Sequence, residues 1–192
     1  MLTGQEGIIL ADSNITKHAL GQAFRKLAAS LPVEKISVGN ICEKCGMNRK
    51  SFYYHFKDKY DLINWVFYTE FFTLVSESGH QGSWELLEDL CRYFYTNREM
   101  YQKIFSVNGQ NSFTEYFESI VSDLIQEDLI RARFKGTGFP LSSYAEFYAD
   151  AFVCAIKKWI LKKDCMPPED FSLFLKSCLL GISEHLARKY DT

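Results

Sequence analysis

Only four prolines interrupt this chain of 192 residues, at positions 32, 140, 167 and 168, and between them apolar residues recur at helical spacing. Proline removes a backbone donor and blocks the helical turn before it, so long proline-free stretches with that spacing favour helices packed on helices. The expected fold is all-α. A first helix is predicted from about Thr16, its N-cap, with Ala19, Leu20, Ala23, Phe24 and Leu27 on one face and Pro32 closing it. Ser37 is placed to cap a short second helix that turns Val38, Ile41, Cys42 and Cys45 inward and stops at Gly46. Asn48 caps a third, and Asp58 with Asp61 resembles a capping box for a fourth, from Lys59 to about Ser78. Five more helical patterns follow, at about 83–97, 98–107, 112–134, 141–163 and 167–189, joined at "NGQNS", "KGTGFP" and "CMPP".

The pattern divides into a head, residues 13–58, and a body, residues 59–192, and the charge divides with it. Residues 13–65 carry nine Lys/Arg against four Asp/Glu, whereas residues 66–192 carry thirteen against eighteen. A basic quarter on an acidic body implies that one part meets a polyanion. The two parts cannot be loosely tethered, because the fourth helix runs unbroken from one into the other. Apolar residues make up 47% of the chain, enough for a packed core rather than disorder. Its longest near-apolar runs fall short of the roughly 20 residues a membrane span requires. The first twelve residues lack the basic start of a signal peptide. A cytoplasmic protein is expected, its six cysteines reduced and mostly buried, with the arm Met1–Asn14 disordered.

The stretch "SVGNICEKCGMNRKSFYYHFKDKYDL" carries the chemistry. Two short helices around a glycine turn, the second polar and basic along one face, read as a helix-turn-helix. Phe52 and Phe56, four apart, anchor the second helix, and Arg49, Lys50, Ser51, Tyr53, Tyr54 and His55 cover the rest of it. By spacing alone Tyr53 could equally be core. Cys42 and Cys45 form a lone C-x-x-C with no second pair to complete a zinc site, so packed thiols are the expectation and a redox switch the alternative. Ile41, Gly46, Phe52, Tyr53, His55, Phe56, Lys59 and Leu62 fill the signature of TetR/AcrR-type transcriptional regulators, which the chain resembles over about 45 residues, with Met47 where that family often has valine. Around it, "ITKHALGQAF", "DKYDLINWVFYTEF", "NREMYQKIF" and "KKWILKKD" further resemble the branch that regulates dihydroxyacetone kinase operons.

That resemblance implies base-facing roles for Arg49, Lys50, Ser51 and Tyr53, and phosphate contacts for Ser37, Tyr54, His55 and Lys59. Gly39 stands where some members carry a groove-reading side chain. It also implies an effector cavity, for which Tyr68, Phe72, Tyr93, Phe94, Tyr116 and Phe117 are the candidates, taking a neutral or weakly polar small molecule. Activation through a partner protein is the alternative. The surplus of apolar residues on the last two helices predicts a homodimer through Phe152, Ile156, Trp159, Phe171, Phe174, Leu175, Cys178, Leu179 and Ile182, hence a pseudo-palindromic operator in double-stranded DNA. The run Lys157–Lys163 either solvates a helix end or forms a second polyanion site. No phosphate loop, H-E-x-x-H or nucleophile set is recognisable, and the histidines at 18, 55, 80 and 185 do not cluster, so no enzyme, cofactor or metal is expected. A helical adaptor without DNA binding is the remaining alternative.

Overall fold

The computed structural model describes the backbone of residues 4–78, 82–107, 112–136 and 138–190, with side chains described from 13 to 179 within those ranges except at 78. Among the described residues there are nine α-helices and no strand: α1 (Gly4–Ser30), α2 (Val38–Cys45), α3 (Arg49–His55), α4 (Lys59–Ser78), α5 (Ser83–Thr96), α6 (Arg98–Phe105), α7 (Phe113–Arg131), α8 (Leu141–Leu161) and α9 (Pro168–Tyr190). A 3-10 turn, Val33–Lys35, joins α1 to α2. The expected helices are all present. Helix α1 starts at Gly4 rather than near Thr16, and takes up most of the arm expected to be disordered, because no proline stops the helix from extending backward.

Contacts group the chain into two compact units, Met1–Glu70 with Lys103–Phe113, and Phe71–Gln102 with Thr114–Thr192. The division falls inside α4, with Leu62, Ile63, Val66 and Phe67 in the buried core of the first unit. In that unit Leu20, Phe24 and Ala28 of α1 share the interior with Ile41 of α2 and Phe52 and Phe56 at α3. Phe56 meets Trp65 edge-on, with centroids 5.7 Å apart. Two basic side chains fix the unit's joints. Lys103 Nζ donates to the carbonyls of Ala28 and Ala29, which the end of α1 leaves without helical partners, and Arg25 pairs with Glu70.

In the second unit α5 packs against both α8 and α9. Lys176 pairs with Glu88 at 2.6 Å and Arg92 with Glu169 at 3.1 Å across α9 and α5. The end of α8 is held by α6, since Arg98 donates to the carbonyls of Ile160, Lys162 and Lys163, and Gln102 to that of Ile160. Trp159 lies flat on Phe171, centroids 4.2 Å apart and planes 9° apart, and its indole N–H donates to the Met166 carbonyl at 2.9 Å.

This packing bears on the expected dimer surface. Ile156, Trp159, Phe171 and Leu175 are buried within the single chain, because α5 and the turn into α9 absorb the apolar surplus that a symmetry mate was expected to cover. Phe152 and Leu179 line an apolar pocket. Phe174 stays half exposed and Cys178 partly so, and the Ile182 side chain lies outside the described residues. Among the described residues, the large apolar side chains left outward on these helices are Phe147 and Leu161 on α8 and Leu173 and Phe174 on α9.

Candidate nucleic-acid interface

The geometry of α2 and α3 is set by three local devices. Ser37 caps α2: its hydroxyl oxygen accepts from the Asn40 N–H at 3.2 Å, and Asn40 Oδ1 accepts from the Ser37 N–H at 3.0 Å, a capping box with asparagine in the place of Glu or Gln. Gly46 ends α2 at φ 70°, the left-handed conformation that glycine adopts without penalty. Asn48 then caps α3, its Oδ1 accepting from the Ser51 N–H at 2.8 Å. Phe52, fully buried, fixes which face of α3 points inward.

The outward face follows. Arg49 and Lys50 are exposed, Tyr53 is 58% and Tyr54 78% exposed, and His55 is half-buried with its ring edge-on to Tyr54. Tyr53 is thus a surface residue resting edge-on against Phe52, not core. Two phenols standing in water on a helix with two cations make a surface for a polar, anionic partner. Burial and the nearby Lys17 both lower the His55 pKa below the ordinary histidine value. Both effects favour the neutral imidazole, whose ring N–H can donate.

Three of the expected contacts are partly or wholly committed elsewhere. The Ser37 and Ser51 hydroxyls are turned onto Asn40 and Asn48, although Ser37 stays exposed. Lys59 is a correction: its ammonium sits on the carbonyls of Val33, Glu34 and Ile36 at 2.8, 3.2 and 2.9 Å, so its three donors hold the α1–α2 connection instead of facing outward. Burial lowers its pKa below the usual lysine value, with Glu34 and Asp58 opposing. Asp58 caps α4 through the Tyr60 and Asp61 N–H groups, while Asp61 accepts from Lys57, one residue before the partner a capping box would use.

Cys42 is buried and Cys45 donates its thiol to the Ile41 carbonyl at 3.3 Å. Burial and then Cys45 push the Cys42 thiol up, with Arg49 opposing. Cys91 is pushed up to about 12, chiefly by burial. In the folded protein, iodoacetamide should label exposed Cys154 first and Cys42 at least about tenfold more slowly, because thiolate and access are both scarce there. Equal labelling rates, read by peptide mass spectrometry, would overturn the packed-thiol reading.

The second unit contains an apolar cavity of about 350 Å³. Of the six aromatic candidates, Phe117 alone lines it among the described residues. Tyr93 and Phe94 are core: their rings pack with Tyr101, and the Tyr93 and Tyr101 hydroxyls share a hydrogen bond of 2.8 Å. Tyr68 is exposed on the first unit, and Phe72 and Tyr116 are half-buried off the cavity wall. The wall comes instead from Trp84 and Leu87 of α5, Val121 and Leu124 of α7, and Tyr148 and Phe152 of α8. The signal was present in the α7 stripe Phe117, Val121, Leu124, Ile125 and Asp128, whose helical spacing reads equally as core. Asp128 is the cavity's one carboxylate among the described residues and accepts from the Ser83 hydroxyl; no Lys, Arg or His lines the wall.

Two family models match the chain. The one described as "Bacterial regulatory proteins, tetR family" covers residues 22–66, and the one described as "Transcriptional regulator C-terminal region" covers residues 82–181. A curated relative, the HTH-type dhaKLM operon transcriptional activator DhaS of Lactococcus lactis subsp. lactis (strain IL1403), is 29% identical over 150 residues, 76% of this chain and 79% of that one. Among solved structures, a dihydroxyacetone kinase operon activator DhaS aligns with TM-score 0.62 at 23% identity, covering 88% of this chain and 97% of the other. A TetR transcriptional regulator from Streptococcus agalactiae 2603V aligns with TM-score 0.64 at 20% identity, covering 88% and 96%. No described helix is long and apolar enough to cross a membrane.

Proposed function

The chain belongs to the TetR family of transcriptional regulators, and we propose that it acts as a homodimer which sets one α3 into each of two successive major grooves of a pseudo-palindromic operator. The observation that carries this reading is the solvated face of α3, where Arg49, Lys50, Tyr53 and Tyr54 stand outward on a helix capped at Asn48 and anchored by Phe52. Arg49 and Lys50 at its N-terminal end supply guanine contacts, and Tyr54 and His55 supply phosphate contacts. The exposed Phe147, Leu161, Leu173 and Phe174 supply the dimer surface.

Control enters through the body. An effector in the cavity would be neutral and largely apolar, because a buried anion would find no counter-charge on the wall and would face Asp128. A small polyol would lose hydrogen bonds that this wall cannot replace. If the chain governs an operon like that of its relative DhaS, named for a dihydroxyacetone kinase operon, a triose signal therefore reaches it through a partner protein and not through this cavity. Either input acts only by its different affinity for the DNA-competent and incompetent states.

The test is binding of purified protein to the intergenic DNA beside its own gene and its neighbours, across a salt series. One fragment should be bound at least about a thousandfold more tightly than random duplex. Arg49→Ala should lower that ratio by tenfold or more, at the scale of one lost guanine contact. A folded protein that binds every duplex alike would reject the reading in favour of an adaptor.

A further inference from the structure

We propose that Gly39 of α2 determines operator specificity as a positioning residue, by leaving the space in which the Arg49 guanidinium lies; the inference rests on the operator reading above. Gly39 is the second residue of α2 and Arg49 the first of α3. A methyl carbon built on Gly39 would stand 2.7 Å from a terminal nitrogen of Arg49 and 3.4 Å from both its central guanidinium carbon and Nε. All three nearest atoms belong to the guanidinium, so the planar group rests on the bare backbone of α2. A contact of 2.7 Å is well inside the roughly 3.5 Å at which such atoms attract, and any side chain at 39 would displace the group.

The missing side chain at 39 is thereby a provision rather than a gap. The surface of α2 supplies a floor and α3 supplies the cation, in the cleft that Ser37, Asn40 and Asn48 also line. A guanidinium held against a floor keeps its fork of donors in one orientation, which bidentate recognition of a guanine edge requires. Arg49 has a long, flexible stem, so a methyl at 39 would re-aim the group without breaking the helices. Charge would be unchanged, and alanine suits a helix better than glycine does.

The experiment selects an operator from a randomised duplex library with wild type, then measures affinity for single-base variants with wild type, Gly39→Ala, Arg49→Ala and the double variant. Gly39→Ala should melt no lower than wild type, and hold non-specific affinity within about twofold with the same salt slope. It should lose about tenfold discrimination at one base pair per half-site, or move it to the adjacent pair. On the Arg49→Ala background the same change should add nothing, the mark of an effect that passes through Arg49. Identical base preferences for Gly39→Ala and wild type would overturn the inference alone, as would an equal shift with and without Arg49. A wild type that selects no consensus would overturn the operator reading and this inference with it.

Discussion

Lys59→Met should lower the stability of the protein by about 2–4 kcal/mol while leaving the salt slope of DNA binding unchanged. The ammonium hydrogen-bonds to the carbonyls of Val33, Glu34 and Ile36, around a 3-10 turn whose own bonds cannot satisfy them all. Removing it breaks three charge-assisted bonds and leaves acceptors facing an apolar methionine. For a chain this size the loss corresponds to a melting temperature about 5–15 °C lower. Ile36 is followed directly by Ser37, the cap of α2, so the clamp also sets where the reading helices begin. Lys59→Arg should recover less than half the loss. A planar fork cannot aim three donors at carbonyls that converge on one point, as an ammonium can. A lysine bound to phosphate would behave in the opposite way: stability would hold, and the slope would fall by about 0.9 for each lost contact. Thermal melts beside a salt series separate the two, and a native melting temperature with a reduced slope would restore the phosphate role.

Lys59 also marks the limit of what sequence pattern conveys. Its position in the signature and the helix that begins there were both legible. Where its ammonium goes depends on carbonyls some twenty-five residues away, and no local pattern encodes that. Helix ends read well for the converse reason. Ser37, Asn48 and Gly46 act on backbone groups within four residues of themselves, so residue type and spacing suffice. The apolar stripes of α8 and α9 were legible as stripes but not in their destination. Trp159 and Phe171 stack on each other inside one chain, whereas Phe147 and Leu173, no more apolar by type, stand in water. The cavity was hardest to read, because a void is where side chains fail to meet. Large aromatics drew attention to Tyr93 and Phe94, yet the space opens between the smaller residues of α7 and the faces of α5 and α8.

Phe94→Ala follows from that distinction and should cost about 3–5 kcal/mol, the range for deleting a fully buried aromatic ring. The ring is entirely enclosed, with Tyr101 at 4.8 Å and 90°, Phe117 at 5.2 Å and Tyr93 at 5.9 Å between centroids. Each is an edge-to-face contact that adds to the area buried. The Tyr93–Tyr101 hydrogen bond sits against the same ring, so loss of that ring also loosens a buried polar pair. Phe94→Leu keeps most of the volume and should cost clearly less, by the measure of other hydrophobic exchanges. If Phe94 instead faced an effector, alanine there would leave the melting temperature near wild type and change only ligand affinity. A wall residue such as Val121 should show that second pattern. Val121→Phe adds bulk to the pocket wall, so it should block an apolar effector by tenfold or more while the melting temperature holds or rises. Finding the two patterns exchanged between positions 94 and 121 would move the ligand site out of the cavity and into the aromatic core.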